Sequence, residues 1–373
     1  ATGAGDNYAS EVYRVSCKYF TIGAKTESEI TLIIKSMPDV GARANMFDKI
    51  DIYKRETLTL TKVIPNFSKL TGDNFAPTCY YVTRDPFKFL ILEDLKIQNY
   101  KLANRYDGVD FQHSKLVMEK LGKFHAASMI CLNEDKNLAN ELELLFFNPK
   151  YGYTAIDQYY ENGFKSFIKL LESRQSEFPS KLREQLGTSE KLLLEKETKM
   201  WKASSKINVI IHADLWVANM MFKYDEKSGE PVDIIFLDFQ MSYYGSPAMD
   251  ILHFFNTSLN AETLKGKCED LIQIYYTAFH ETLKNANYKN IPTFDDIQNE
   301  IHDKQFHGFA VCAVELPVIS QEKSLVGADG DQLNAIFGEE MSAKFRDLAY
   351  NDEKYINRIK YPMERFLKMN IFD

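Results

Sequence analysis

The densest concentration of reactive side chains in the sequence is His212-Ala213-Asp214-Leu215-Trp216-Val217-Ala218-Asn219. An apolar run follows and closes on Leu237-Asp238-Phe239. The pattern is an HxD, an asparagine five residues beyond its aspartate, and a second aspartate in an Asp-Phe pair. Phosphoryl transfer asks for this set. One carboxylate orients an acceptor hydroxyl and takes its proton, while an amide oxygen and another carboxylate hold Mg²⁺ on the phosphates. Asp214 is the candidate base, and Asn219 and Asp238 are the candidate metal ligands. The bland reading makes His212 and Asp214 loop residues and Asp238 a strand-end cap. It loses to the functional one because all the groups stand in the required order around a predicted hairpin. His212 itself reads as a packed, hydrogen-bonded organiser of the loop.

Lys35 ends the apolar run Leu32-Ile33-Ile34, and a lysine there can reach the phosphates of a nucleotide if an acid holds its flexible side chain. Glu56, on the helix predicted next, is the available acid. Taken singly, each residue reads as a solvated end. Their order, strand lysine, helix glutamate, then the Asp214 cluster, favours a phosphate-gripping pair. Gly5 and Asn7 lie in Gly3-Ala4-Gly5-Asp6-Asn7-Tyr8 before the first predicted strand, where glycines let backbone N–H groups approach phosphates; in isolation the stretch is an ordinary turn. Glu93-Asp94-Leu95 could offer backbone groups to an adenine edge, or be only an acidic turn. Other chemistries find no support: His302 and His307 lack the HExxH pattern, and there is neither a GxSxG elbow nor a GxxxxGK[ST] loop. Gly245-Ser246-Pro247 reads as a helix start, with Ser246 at the cap and Pro247 at the first helical position, so Asp250 is structural rather than catalytic.

The elements that must position these groups fall into two kinds. Tyr13, Val15, Cys17 and Tyr19 alternate with Arg14, Ser16 and Lys18, the period of a half-buried strand, and Ile30 to Lys35 supplies a partner for a hairpin. Phe47, Ile50, Tyr53, Thr57, Leu60 and Ile64 recur at helical spacing up to Pro65. A second hairpin is predicted from Cys79–Val82, a turn at Arg84-Asp85-Pro86, and Phe87 to Leu92. Beyond Leu95 the patterns are mainly helical, at Leu116 to Ile130 and near 155–200, 261–286 and 331–369. They are interrupted by Val209-Ile210-Ile211 and by a hairpin of Met220-Met221-Phe222 with Val232 to Leu237. The expected architecture is α+β in two lobes packed across a cleft: a small β-rich nucleotide-binding lobe at 1–95 and a larger helical catalytic lobe at 96–373 with the hairpin embedded in it.

Composition narrows the class. The chain has 373 residues, enough for two domains of ordinary size, with 45% hydrophobic and 26% charged residues. Its net charge of −8, from 45 basic and 53 acidic residues, argues against nucleic acid as a partner and requires any anion site to be local. Cys17, Cys79, Cys131, Cys268 and Cys312 are scattered and odd in number, which suits a reducing, cytoplasmic setting better than a disulfide framework. No apolar run approaches the roughly 20 residues that span a bilayer, so no membrane association is expected. No signal peptide is recognisable, although Ala1-Thr2-Gly3-Ala4-Gly5-Asp6 already resembles a loop and the start of the first lobe is open.

The sequence resembles the insect ecdysteroid kinase-like proteins, within the wider group of choline-kinase- and aminoglycoside-phosphotransferase-like small-molecule kinases. The resemblance runs through Gly5-Asp6-Asn7-Tyr8-Ala9-Ser10, Leu32-Ile33-Ile34-Lys35, Leu92-Glu93-Asp94-Leu95, Lys123-Phe124-His125-Ala126-Ala127-Ser128, His212-Ala213-Asp214-Leu215-Trp216, Phe236-Leu237-Asp238-Phe239-Gln240 and Tyr244-Gly245-Ser246-Pro247-Ala248-Met249-Asp250. It implies a two-lobed protein-kinase-like fold and transfer of the ATP γ-phosphate to a hydroxyl of a lipophilic small molecule such as an ecdysteroid. On that resemblance Asp214 is the base, Asn219 and Asp238 bind Mg²⁺, Lys35 and Glu56 grip the phosphates, and Glu93–Leu95 forms the adenine hinge. Two positions depart from the family pattern: Ala213 stands where glycine is common and Ala218 where asparagine is common. The rival readings are a kinase for choline, ethanolamine or aminoglycosides, and a catalytically silent binder of the same fold. The first is told apart by whether carboxylates or apolar side chains line the acceptor site.

Overall fold

The computed structural model describes residues 10–23, 26–37, 50–321 and 339–372. The first two apolar runs form strands β1 (Glu11–Phe20) and β2 (Glu27–Ser36), paired antiparallel with Val12 opposite Lys35. Helices α1 (Ile52–Leu58) and α2 (Ile64–Thr71) follow, then strands β3 (Cys79–Thr83) and β4 (Phe89–Glu93). The four strands make one antiparallel sheet in the order β1-β2-β4-β3.

Two expectations change here. The helical pattern does not stop at Pro65. A π-helical turn, Thr59–Val63, joins α1 to α2, and the Ile64 N–H reaches back to the Thr59 carbonyl. This widened turn accommodates a proline that cannot donate to the helix ladder. The facing of β1 is also the reverse of what its apolar alternation suggests. Tyr13 and Tyr19 are about half exposed on the outer side, whereas Val12 and Arg14 line the cleft beneath the sheet. The cleft-facing side mixes an apolar residue, Val12, with a charged one, Arg14, so hydrophobic alternation does not mark the inside of this strand.

The remainder is helical around small sheets. A short strand absent from the sequence expectations, β5 (Tyr100–Leu102), precedes the long helix α3 (Phe111–Glu134). Helices α4 (Ala155–Ser173), α5 (Ser180–Leu186) and α6 (Glu190–Trp201) lead to β6 (Val209–Ile211). Strands β7 (Met220–Tyr224) and β8 (Pro231–Phe236) form the expected hairpin, with β5 on its outer edge; β9 (Tyr243–Gly245) pairs with β6. Helix α7 (Ala248–Ser258) starts one residue later than expected, and Ser246 Oγ accepts from the Ala248 N–H at 3.3 Å. Then come α8 (Cys268–Asn285), α9 (Phe294–Asp303), α10 (Gln305–Ala310), a second π-helical turn at Val311–Glu315, α11 (Leu316–Ile319), α12 (Glu339–Tyr350) and α13 (Glu353–Lys368).

One apolar core runs from α2 and β4 through α3 to the β7–β8 hairpin and α8. It includes Phe67, Phe75, Phe124, Phe236 and Phe239, all fully buried. Gly122 allows α3 to meet α8 closely, since a Cβ there would stand 2.4 Å from the Tyr275 carbonyl oxygen. A second core packs α4 to α6 against α10 and α13. The catalytic-loop candidates lie where the two cores meet: Leu215 belongs to the first, and Ala213 packs on the second. All five cysteines are free thiols. Among the described residues no helix is long and apolar enough to cross a membrane.

Candidate active site

Lys35 leaves β2 into the cleft below the sheet, and α1 brings Glu56 to it. Two contacts set that helix. Arg55, buried, donates to the Ser242 carbonyl at 2.6 Å, and the Tyr53 hydroxyl donates to the Thr83 and Phe89 carbonyls. Lys35 Nζ then lies 2.6 Å from Glu56 Oε1 and 2.7 Å from Asp238 Oδ1. Burial alone would lower the pKa of the Lys35 ammonium; the Asp238 and Glu56 carboxylates outweigh it, and the net shift is upward. Burial lifts Glu56, with Asp238 adding to the rise and Lys35 opposing it. Lys35 is therefore a fixed cation in this cleft.

The hairpin does for the other groups what its spacing implies. Met220 pairs with Phe236, and the Leu237 N–H donates to the Asn219 carbonyl at 2.8 Å, so Asn219 and Asp238 emerge side by side. The Asn219 amide group donates to the Asp214 main-chain carbonyl at 3.0 Å and to Asp214 Oδ2 at 2.7 Å. With its NH₂ committed in that way, Oδ1 is the atom left for a cation.

His212 organises the loop. Nε2 donates to the Leu237 carbonyl at 2.8 Å, and Nδ1 accepts from the Asp214 N–H at 3.3 Å, which defines the neutral tautomer. Burial lowers its pKa, in keeping with that neutral ring. Asp250, fully buried, accepts from the His212 N–H at 2.7 Å, from the Ala213 N–H at 2.8 Å and from His125 Nε2 at 3.1 Å. The loop held in this way is strained at its centre: Ala213 has φ 65°, the left-handed region that a glycine adopts without cost. Asp238 shares that conformation, also at φ 65°.

Asp214 is walled in by protein on most sides, yet about a third of its side chain is open. Burial raises its pKa well above the ordinary carboxylate range, with the neighbouring Asp238 and Glu315 adding to the rise. The Asn219 hydrogen bond and Lys35 work in the opposite direction. A carboxylate tuned upward in this way is a better proton acceptor than an exposed one.

The cleft has a volume of about 420 Å³, and Lys35, Glu56, Glu93, Leu95, Asn219 and Asp238 all line it. Asp214 does not line it but is hydrogen-bonded to Asn219, which does. Gly5 and Asn7 lie outside the described residues. At Glu93–Leu95, the Glu93 carboxylate is taken up by the Thr78 N–H at 3.0 Å and by Gln98, and the Glu93 N–H donates to the Thr78 carbonyl at 2.9 Å. Sequence reasoning missed Arg14, whose Nε stands 2.5 Å from Asp94 Oδ2 and ties β1 to the Glu93–Leu95 stretch across the cleft. It also missed His253 and Glu315, which approach Asp214 from α7 and from the second π-helical turn. Only the period-two position of Arg14, on the same side of the hairpin as Lys35, carried a sequence signal.

A small antiparallel sheet set over a helical body that carries an HxD loop and an Asp-Phe hairpin is the α+β, protein-kinase-like class of fold. The ecdysteroid kinase-like family model matches residues 4–288, and the chain belongs to that family. It is a small-molecule kinase. No curated protein matches the sequence. Among solved structures the chain is similar to a microcompartment-associated aminopropanol kinase, at 10% identity and a TM-score of 0.44, covering 96% of this chain and 94% of that one. It is similar too to a choline kinase from Cryptosporidium parvum Iowa II, at 11% identity and a TM-score of 0.42, covering 95% and 91%. An ADP-bound aminoglycoside phosphotransferase aligns at 12% identity and a TM-score of 0.33, covering 93% and 94%.

Proposed function

We propose that the protein transfers the γ-phosphate of Mg-ATP to a hydroxyl of a lipophilic small molecule, ecdysteroid-like in class, in the cytoplasm. The observation that carries this reading is the meeting of two groups at one cleft: Lys35 held by Glu56 and Asp238, and Asn219, which lines the cleft and bonds to Asp214. In this reading residues 1–95 form the nucleotide lobe and 96–373 the catalytic and acceptor lobe. The adenine edge meets the main chain of Glu93–Leu95, while Lys35 neutralises charge on the phosphates. Gly5 and Asn7 belong to the loop proposed to cover them.

The donor set suits a magnesium ion in one specific way. Among the described residues no three His, Cys, Asp or Glu side chains converge as a self-sufficient metal site. Asn219 Oδ1 and the Asp238 carboxylate are hard oxygen donors lining the cleft, and Mg²⁺ usually takes one or two protein oxygens and completes its shell with phosphate and water. Bound there, the ion would offset charge on the phosphates as the γ-phosphoryl group moves. Asp214 orients the acceptor hydroxyl and takes its proton as the oxygen–phosphorus bond forms and the bond to ADP breaks. The Asn219 amide keeps Asp214 Oδ2 occupied, so Oδ1 is the oxygen left for that proton.

The test is a pooled phosphorylation assay read by mass spectrometry, with Mg-ATP and pools of ecdysteroids, other lipophilic alcohols, choline and aminoglycosides. Removal of a general base costs roughly 10²–10⁴ in rate, so Asp214→Asn should lose turnover by about that factor while still binding ATP. A phosphate ester formed by the wild-type chain alone names the substrate class. No product from any pool would favour the silent binder.

A further inference from the structure

Two carboxylates that do not line the cleft, those of Asp214 and Glu315, face one imidazole. His253 Nε2 stands 3.9 Å from Asp214 Oδ1, and His253 Nδ1 stands 3.7 Å from a Glu315 oxygen, Oε2. Both distances exceed direct hydrogen-bond reach, so a ring whose side chain is only 6% exposed stands between the two carboxylates with one nitrogen turned to each. It stacks on His307 with centroids 6.2 Å apart, and His307 Nδ1 is fixed at 2.7 Å by the fully buried Glu197, which also accepts from Trp201 Nε1 at 2.7 Å.

Glu315 is placed with equal care. It ends the π-helical turn Val311–Glu315, an irregularity that re-aims side chains and recurs at functional sites. Tyr160 on α4 donates to Glu315 Oε1 and leaves Oε2 for the His253 side. The Glu315 side chain is 18% exposed and that of Asp214 31% exposed, so both carboxylates keep an open face on either side of His253. Placing a second carboxylate beside the base of a phosphoryl-transfer site disfavours the transferring phosphate. A partner that donates hydrogen bonds to it offsets that cost; an apolar partner leaves it desolvated and unpaired.

From this we infer that Glu315, with His253 as its positioning partner, is a specificity-determining residue for the acceptor, and that the preferred acceptor carries a second hydrogen-bond donor next to the hydroxyl that is phosphorylated. The inference rests on the kinase reading above and narrows its acceptor class. The shared chemistry is a donor adjacent to the reacting hydroxyl, supplied by a vicinal hydroxyl or by an ammonium group. A lipophilic alcohol lacking such a donor is handled poorly.

The test uses three probes of one chain length: 1-octanol, 1,2-octanediol and 2-amino-1-octanol, each with Mg-ATP and the full chain. Hydrogen bonds to a charged group correspond to roughly a ten- to hundredfold preference, so kcat/KM for one or both donor-bearing probes should exceed that for 1-octanol by about that factor. Which of the two leads identifies hydroxyl or ammonium. In Glu315→Gln the preference should shrink to within about threefold, while Tyr160→Phe, which keeps the carboxylate, should retain it. Equal kcat/KM for the three probes, or an unchanged ratio in Glu315→Gln, overturns the inference even while phosphorylation that is lost in Asp214→Asn upholds the kinase. If no probe turns over, calorimetry on the Mg-ADP-loaded protein decides: a tenfold tighter Kd for a donor-bearing probe supports the inference, and equal or absent binding overturns it.

Discussion

Asp250→Asn removes a single charge yet should disable the catalytic loop. Asp250 is fully buried and accepts from three donors: the N–H groups of His212 and Ala213, at 2.7 and 2.8 Å, and His125 Nε2 at 3.1 Å. An asparagine has one acceptor oxygen, so its NH₂ must face one of these donors. The variant loses a charge-assisted hydrogen bond, worth roughly 1.5–3 kcal/mol, and strands a buried donor at about 1–3 kcal/mol more. A destabilisation of about 3–5 kcal/mol follows, a large share of a total that is usually about 5–15 kcal/mol. Urea unfolding followed through Trp201 and Trp216, both buried, would measure it. The same hydrogen bonds hold Ala213 in its left-handed conformation, so kcat should fall about ten- to hundredfold. Asp250 does not line the nucleotide cleft, and KM for ATP should stay within about twofold. The pH dependence adds an independent check. Burial pushes the Asp250 carboxyl up, but His125 and the His212 N–H hold it below the usual carboxylate range. A depressed folded pKa stabilises above the unfolded value and is lost as pH falls through the folded one, so this acid-side loss should be missing in the asparagine variant. A variant within about 1 kcal/mol of wild type and with unchanged kcat would refute the role assigned to Asp250.

Asp238→Ala should weaken Mg-ATP binding by leaving Lys35 paired with Glu56 alone and removing one of the two candidate metal oxygens; unaltered affinity by calorimetry would count against the assignment. Ala213→Gly removes a Cβ from a position at φ 65°, a relief of about 1–2 kcal/mol partly offset by the glycine's greater freedom when unfolded. Its stability should match or exceed wild type by up to about 1 kcal/mol, and a loss greater than that in urea unfolding would show that the methyl matters more than the strain. Burial also lowers the pKa values of His212 and His253. Both hold their stabilisation above the unfolded value of about 6.5 and lose it as pH falls, by up to roughly 1.4 kcal/mol per unit each, whereas the raised carboxyls of Glu56 and Asp214 gain stability over the same fall. The ring contribution is therefore read as a difference: His253→Gln should lose less of its urea midpoint than wild type between pH 7.5 and 5.5, and parallel profiles would mean that this ring is not held neutral by the fold.

What the sequence made legible follows from how far apart the cooperating residues lie along the chain. Asp214, Asn219 and Asp238 flank the open end of one hairpin, before its first strand and after its second, and a hairpin converts spacing into position directly. Lys35 and Glu56 needed one further step, a strand followed by a helix, and the order of the motifs supplied it. Local pattern misled wherever the rule it relies on was broken for a reason. Apolar alternation put the wrong side of β1 inward because the inward side is the site itself, lined by Val12 and Arg14. Pro65 seemed to end a helix because nothing in the sequence announces the π-helical turn that carries the chain past it. Strand β5 is three residues long, and its partner β7 lies more than a hundred positions away. His253 and Glu315 were beyond reach for a similar reason. They belong to different helical segments, separated by α8 to α10, and neither carries a motif; only the packing of α7 against the second π-helical turn brings both to Asp214. On the proposed reading, the groups for phosphate chemistry are therefore written in short local signatures, whereas those proposed to recognise the acceptor are assembled only by the folded helical body. The same division explains why the departures at Ala213 and Ala218 leave every candidate catalytic group in place: they alter the loop's backbone and its flank, and the loop's conformation is held from outside by Asp250 and His212.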